Sequence, residues 1–260
     1  MVQVGMTKRG VLATVAALAP LAGLGGPLGI REAAGVDFRI ENRVYVGGRQ
    51  EPQVHSTTMF YGGLIYDFLD QPAEAVVFDK AGGRFSLLDF RRRVAADLSA
   101  ADVAAFVTRI REQVAHHPDP WVRFLAEPAL EERMDGAALV LSGEWLTYRA
   151  RLAEASPAVA RQYREFSDWY AELNTVLHPA ARPPFARLRL DEALACHQAT
   201  AREVELTTTS KKGVKTTIHS RHELATALTP ADLKRIAEAR EAQRTFQTVK
   251  FEEYHKGAGE

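Results

Sequence analysis

Two pairs of adjacent glycines, Gly62-Gly63 and Gly82-Gly83, each separate short apolar runs, and this punctuation constrains the fold more than any other feature of the chain. Met59-Phe60-Tyr61 and Leu64-Ile65-Tyr66 flank the first pair, a turn that accepts positive φ, and so read as a β-hairpin. Ala75–Asp79 and Arg84–Asp89 repeat the device around Lys80-Ala81-Gly82-Gly83. Upstream, Phe38, Ile40, Val44 and Val46 alternate with Arg39, Glu41, Arg43 and Tyr45, the period of two that a half-buried strand requires. A meander of strands therefore opens the folded region.

Helix signals follow. Ser99 with Asp102 three residues on reads as an N-cap, and Val103, Phe106, Val107, Ile110 and Val114 form one stripe that stops near His116-His117-Pro118. An aromatic segment from Trp121 to Leu130 leads to strands at Ala138–Leu141 and Leu146–Leu152, separated by Gly143. Ser156-Pro157 opens a second helix whose stripe is Val159, Tyr163, Phe166, Tyr170, Leu173 and Leu177, ending at His178-Pro179. Beyond Pro183-Pro184 the pattern predicts a short helix at Asp191–Ala199, strands at Glu203–Thr209 and Val214–His219, a helix capped by Thr229-Pro230, and a strand in the tail at Val249-Lys250-Phe251. A gap-free correspondence pairs Gly83 with Gly213, Leu88 with Ile218, Arg91 with Arg221, Ala95 with Ala225 and Leu98 with Leu228, so two ββα halves are a candidate duplication.

The first thirty-five residues have the pattern of an export signal: Lys8-Arg9, the apolar core Val11–Ala19, then a helix-breaking Pro20 and several glycines. Ala33-Ala34-Gly35 predicts cleavage before Val36, and Met6 is an alternative start. An uncleaved anchor over residues 10–30 is the other reading. Thr7-Lys8-Arg9-Gly10-Val11-Leu12 resembles the twin-arginine motif, with Lys8 and Val11 as departures. The expected location is periplasmic or extracellular, with membrane contact only through the leader before cleavage. Val36–Glu260 is long enough for one substantial core, read here as a single domain with 36–155 and 156–260 as its candidate halves.

Lysine plus arginine equals aspartate plus glutamate at 33 each, which gives no basic excess for a nucleic-acid binder. Cys196 is the one cysteine, so an intramolecular disulfide is excluded, and its context Ala193-Leu194-Ala195 predicts a small buried residue on a helix.

Motifs for chemistry fail one after another. His222-Glu223 begins a zincin pattern, but Thr226 stands where the second histidine belongs. His219 and His222 are three apart on a strand, which sends them to opposite faces. His116, His117 and Asp119 fit either a metal or the dipole at a helix end, the latter being the ordinary role. Cys196 and His197 are adjacent on a helix and diverge, so neither activates the other. A Gly-x-Ser-x-Gly elbow and a P-loop are both absent from the sequence, and Gly23-x-Gly25 falls inside the leader. Asp67, Asp70, Asp79 and Asp89 each stand near a predicted strand end, where turn formation is the ordinary role and acid–base chemistry the alternative. Arg91-Arg92-Arg93 and Lys211-Lys212 suit either an acidic partner, a lipid headgroup or plain solvation. No catalytic residue, metal ligand or cofactor is assigned.

Aromatic residues are the more suggestive set: Phe60, Tyr61, Tyr66, Phe68, Phe78 and Phe85, then Trp145 and Tyr148. On one face of an antiparallel sheet they would hold an apolar ligand against a covering helix; the competing role is sheet–helix core. Phe60, Tyr66, Phe68, Trp145 and Tyr148 are the candidate ligand-binding residues.

The stretch from Ser56-Thr57-Thr58-Met59-Phe60 through Val76-Val77-Phe78-Asp79 to Phe85-Ser86-Leu87-Leu88-Asp89 is similar to exported bacterial proteins of unknown function, and its element order resembles that of periplasmic lipoprotein carriers. The resemblance covers residues 36–155, transfers no carrier residue to a named position, and implies a half-barrel around an apolar concavity. The expected class is α+β, an open, curved antiparallel sheet packed by helices. The expected function is a non-enzymatic binding protein for a lipid or other apolar small molecule. An enzyme with a folding-assembled His/Asp site and an envelope scaffold are the alternatives.

Overall fold

The computed structural model describes residues 35–178 and 182–257. The expectations on the leader, its cleavage and the anchor fall on residues outside these. Ala34–Glu260 forms one compact unit. Its elements are β1 (Phe38–Val46), β2 (Val54–Tyr61), β3 (Leu64–Leu69), β4 (Glu74–Asp79), β5 (Arg84–Asp89), β6 (Val94–Ser99), α1 (Ala100–Ala115), α2 (Pro120–Ala126), β7 (Glu131–Asp135), β8 (Ala138–Ser142), β9 (Leu146–Ala153), α3 (Pro157–Leu177), α4 (Phe185–Cys196), β10 (Thr200–Thr209), β11 (Lys215–Ala225), α5 (Pro230–Thr245), β12 (Gln247–Thr248) and α6 (Phe251–Gly257).

The strands form one sheet in the order β12-β6-β5-β4-β3-β2-β1-β11-β10-β9-β8-β7. Every pairing is antiparallel except the short β12, which runs parallel to β6. The two edges do not meet, so the molecule is α+β with an open, half-barrel-like sheet. Alternating strand direction gathers the turns after β1, β3, β5, β8 and β10 at one end of the sheet; the turns after β2, β4 and β7 lie at the other. Gly62 and Gly63, at φ 60° and 79°, make the two-residue turn between β2 and β3, where a side chain at either position would be strained.

Successive side chains of a strand point to opposite faces. On the inner face, Phe38, Ile40 and Phe60 pack on Val159, Tyr163 and Phe166 of α3. Phe78, Phe85 and Leu87 meet Val103 of α1, Leu173 of α3 and Tyr254 of α6. Leu139, Leu141, Tyr148 and Val204 meet Leu190, Ala193 and Leu194 of α4. The outer face is covered over β2–β6, where α5 lays Ile236, Ala239 and Ala242 on Met59, Tyr66, Phe68, Val77 and Leu88. Three helices begin as the sequence predicts. Ser99 Oγ accepts from Asp102 N (2.9 Å), Ser156 Oγ from Val159 N (3.3 Å), and Thr229 with Asp232 closes a capping box. Among the described residues no helix is long and apolar enough to cross a membrane.

The structure departs from the sequence reading in several places. β6, α2 and β7 are elements the pattern did not mark. α4 starts at Phe185 rather than Asp191, and β11 continues through Ala225. The tail contributes Gln247 and Thr248 to the sheet, whereas Phe251 begins α6. Cys196 is exposed, because the buried side of α4 runs through Ala186, Leu190, Ala193 and Leu194 and leaves the last residue facing out. The gap-free correspondence pairs unlike structures: Arg91 lies in the turn between β5 and β6, and Arg221 in the middle of the single strand β11. The two capped helices also lie on opposite faces, α1 inside and α5 outside.

Candidate functional site

The inner face carries a line of polar side chains between apolar clusters. His222 of β11 lies opposite Asn42 of β1, Asn42 opposite Ser56 of β2, and Thr58 opposite Asp67 of β3. The hydrogen bonds have one consistent direction. His222 Nδ1 donates to Asn42 Oδ1 (2.9 Å), Asn42 Nδ2 donates to Thr58 Oγ1 (3.1 Å) and to Ser56 Oγ (3.3 Å), and Thr58 Oγ1 donates to Asp67 Oδ1 (2.6 Å). The amide of Asn42 can serve both neighbours only in this orientation, which assigns the proton of His222 to Nδ1. Burial pushes His222 down to about 3, so it is neutral at pH 7, and its Nε2 is buried without a partner among the described residues.

Asp67 is fully enclosed. Burial pushes its carboxyl up, against the opposing hydroxyls of Thr58, Tyr170 and Ser56. The Asp67 carboxylate in turn pushes the Tyr170 phenol up. A second buried cluster ties α3 to α4: Arg187 Nε donates to both oxygens of Asp191 (3.1 and 3.0 Å) and its NH2 to Ser167 Oγ (2.7 Å), which donates to Asp191 Oδ2 (3.0 Å). Both oxygens of Asp191 and the hydroxyl of Ser167 are thereby engaged, the condition under which a buried carboxylate is tolerated.

Asp67 lines a cavity of about 380 Å³ between the inner face, the C-terminal half of α3 and α6. Its sheet wall includes Leu69, Val76 and Leu87, its helix wall Tyr170 and Leu177, and His178, His255 and Lys256 also border it. Glu74 borders it as well and makes no hydrogen bond or ion pair among the described residues; burial pushes its carboxyl up, with Asp89 adding to the effect. Arg92 fixes α6 as a wall by donating to Tyr254 O (2.7 Å) and lying over its ring (5.2 Å). A larger groove of about 630 Å³ runs among α1–α4 and is lined largely by charge: Arg164 pairs with Asp168 (3.6 Å) and Arg189 with Glu192, while Arg111, Glu127 and Glu172 make no ion pair among the described residues. Of these two, the smaller cavity has the more apolar wall.

The five predicted ligand-binding residues do not line one cavity. Phe60 stacks on Phe38 (4.0 Å) beneath α3, and Tyr148 is buried under α4. Tyr66 and Phe68 face outward beneath α5, where Arg240 Nε donates to the Tyr66 hydroxyl (2.8 Å) and Arg235 lies over Phe68 (4.5 Å). Trp145 is half-buried in the turn after β8. The register explains the split. A two-residue turn at Gly62-Gly63 sets Tyr61 opposite Leu64, so Phe60 shares a face with Ile65, and Tyr66 with Met59. That turn was visible in the sequence, and carried one step further it places Thr58 and Asp67 together on the inner face.

The other chemical candidates resolve individually. Asp79 accepts from Gly82 N (2.8 Å) and Asp89 from Arg92 N (2.8 Å), both as turn residues, and Asp70 pairs with His55 (2.5 Å). Asp67 and Asp89 are both buried, but Asp89 is committed to the turn and to Arg92 (2.6 Å), which leaves Asp67 as the one that faces the cavity without an ion-pair partner among the described residues. Asp119 caps α2 through Trp121 N (3.0 Å) and pairs with Lys211, and His117 Nδ1 accepts from Asp119 N (3.2 Å). His219 lies beside Tyr45 on the outer face, away from His222. His197 contacts Glu132 (2.9 Å), not Cys196. Among the described residues no group of three His, Cys, Asp or Glu is placed to hold a metal ion.

No family model and no curated protein matches the chain. Among solved structures, a LolA-superfamily protein from Nitrosomonas europaea is similar at 7% sequence identity and a TM-score of 0.30, over 78% of this chain and 90% of that one. The match is weak, and no site residue is carried over from it.

Proposed function

We propose that this chain is an exported binding protein that carries an apolar, lipid-like molecule in the cell envelope. The observation that carries the reading is the cavity between β3–β5, α3 and α6. Its volume, about 380 Å³, falls within the ~300–1,000 Å³ typical of small-molecule sites. Leu69, Val76, Leu87 and Leu177 supply apolar contact, while Asp67, Glu74, Tyr170 and Asn174, with His178, His255 and Lys256, supply polar groups that can orient a ligand's head. The export pattern at the N-terminus supports an envelope location.

Displacement of an environment-sensitive apolar fluorophore by fatty alcohols tests this. The proposal predicts saturable binding that Val76→Trp, which fills the cavity from its half-buried wall, reduces at least tenfold while the far-UV circular dichroism is unchanged. Undiminished binding in a folded Val76→Trp variant would place the fluorophore elsewhere and end the proposal.

A further inference from the structure

The end of the sheet that gathers the turns after β1, β3, β5, β8 and β10 also gathers both basic runs of the chain. Arg91-Arg92-Arg93 forms the turn after β5; Lys211 and Lys212 form the turn after β10, and Lys215 opens β11. Arg92 is committed to Asp89 (2.6 Å) and Lys211 to Asp119. Lys212 and Lys215 are exposed and have no ion-pair partner among the described residues.

Beside these lysines lies an apolar cleft of about 130 Å³ walled by Trp121, Leu125, Trp145 and Val214, with Arg182 at its border. Val214, at the tip of the β10–β11 hairpin, is 62% exposed, the highest value among the large exposed hydrophobic residues. The cleft is too small for a drug-sized ligand, and its two tryptophans are only half-buried. Indole rings and lysines together are the side chains that favour a membrane interface: the ring sits at headgroup level and the ammonium pairs with phosphate. Of the carboxylates on the turns at this end, Asp119 is paired with Lys211 and Asp70 with His55, and Glu51 and Glu144 stand against Lys212, Lys215, Arg182 and Arg49.

We infer that this end of the protein docks on an anionic lipid bilayer, with Trp121, Trp145 and Val214 entering the headgroup region and Lys212, Lys215 and Arg182 meeting lipid phosphates. The same end bears the mouth of the cavity, since Leu69 and Glu74 flank the turn after β3 and His178 ends α3. Docking therefore turns the cavity towards the membrane. The inference goes beyond the carrier reading and does not depend on the cavity being occupied.

The test uses Val36–Glu260, which holds the whole described fold and lacks the apolar leader. Its sedimentation is measured with vesicles of phosphatidylcholine alone and of phosphatidylcholine mixed with phosphatidylglycerol. Expected are a preference for the anionic vesicles that weakens with salt, quenching of tryptophan fluorescence by brominated lipid, and an affinity loss of about thirtyfold or more in Lys212→Glu/Lys215→Glu. The control Arg84→Glu/Arg161→Glu reverses two exposed charges at the opposite end, one just after the turn that follows β4 and one in the first turns of α3, and is expected to bind as the unaltered chain does. Equal binding to both vesicle types, equal loss in the two double variants, or retention by an immobilised acidic peptide without any vesicle binding would each overturn the inference.

Discussion

The two halves of the sheet solve the same problem differently. Strands β2–β6 are covered on both faces, by α1, α3 and α6 inside and by α5 outside, and β2 and β5 run nearly continuously buried, as in Arg84–Asp89. Strands β1 and β9–β11 are covered inside and open outside. Their outer face is a lattice of charge: Glu41 with Arg43, Arg43 with Glu223 (2.7 Å), Glu203 with Arg151 (3.4 Å) and Arg221 (3.8 Å), and Arg149 with Asp135 (2.5 Å). In β9 the alternation is clean, with Leu146, Tyr148 and Ala150 buried between Thr147, Arg149 and Arg151. The difference teaches that one helix, α5, decides whether a strand of this sheet needs one apolar face or two.

The largest expected effect follows from that helix. Ile236→Ala removes the central contact of α5 with Met59, Tyr66 and Leu88 and is expected to cost about 2–5 kcal/mol in urea unfolding. A cost no greater than that of an outer-face charge substitution would break the comparison. Next comes the inner polar line: Thr58→Val takes from Asp67 its 2.6 Å donor and is expected to destabilise by about 1–3 kcal/mol, although valine is as apolar as its surroundings. A neutral or stabilising result would mean that Asp67 is satisfied without Thr58.

A smaller effect depends on pH. His222 is depressed from 6.5 to about 3 in the folded chain, so between those values unfolding takes up a proton. Its contribution to stability is present above about 6.5 and is lost as pH falls towards 3. Unfolding midpoints measured across this window should rise less steeply with pH in His222→Phe than in the unaltered chain; parallel profiles would show that His222 is not the neutral buried group described. The smallest effect belongs to the open half of the sheet. Arg43→Ala breaks two exposed pairs, and no resolvable change in the unfolding midpoint is expected at moderate salt.

Much of the fold was legible because local signals agreed. Ser99 and Ser156 each stood before an apolar stripe, Thr229 before a proline, and each caps a helix; Gly62-Gly63 marked a tight hairpin that the φ values bear out. Of the elements that escaped notice, α2 carries a cap signal of this kind in Asp119-Pro120, whereas β6 and β7 lack one. β7 reads Glu131-Glu132-Arg133-Met134-Asp135 and is exposed throughout, held by backbone pairing to β8 and by surface contacts of Asp135 with Arg149 and of Glu132 with His197, with no buried side chain. β6 is short and built around Ala95 and Ala96, which carry little apolar contrast. α5 contacts the sheet through one isoleucine and two alanines, a stripe too thin to announce that a second face was covered.

The site was less legible than the fold, for a physical reason. Asp67 looks like any strand-end carboxylate until the hairpin register places it opposite Thr58 and beneath Tyr170. The aromatic count was a poor guide because alternation divides Phe60 from Tyr66 and Phe68, and each pairs with a different helix. Which pieces of the inner face remain unfilled depends on where α3 and α6 end, and that is a property of tertiary packing.

The measurement that bears most directly on the account is native mass spectrometry of Val36–Glu260 taken from a bacterial envelope fraction without detergent, followed by solvent extraction and lipid analysis. The account predicts a stoichiometric adduct that is extracted as an acyl-containing molecule and is absent from the folded Val76→Trp variant. A clean apo mass from the unaltered chain, or an adduct that Val76→Trp retains, would contradict it.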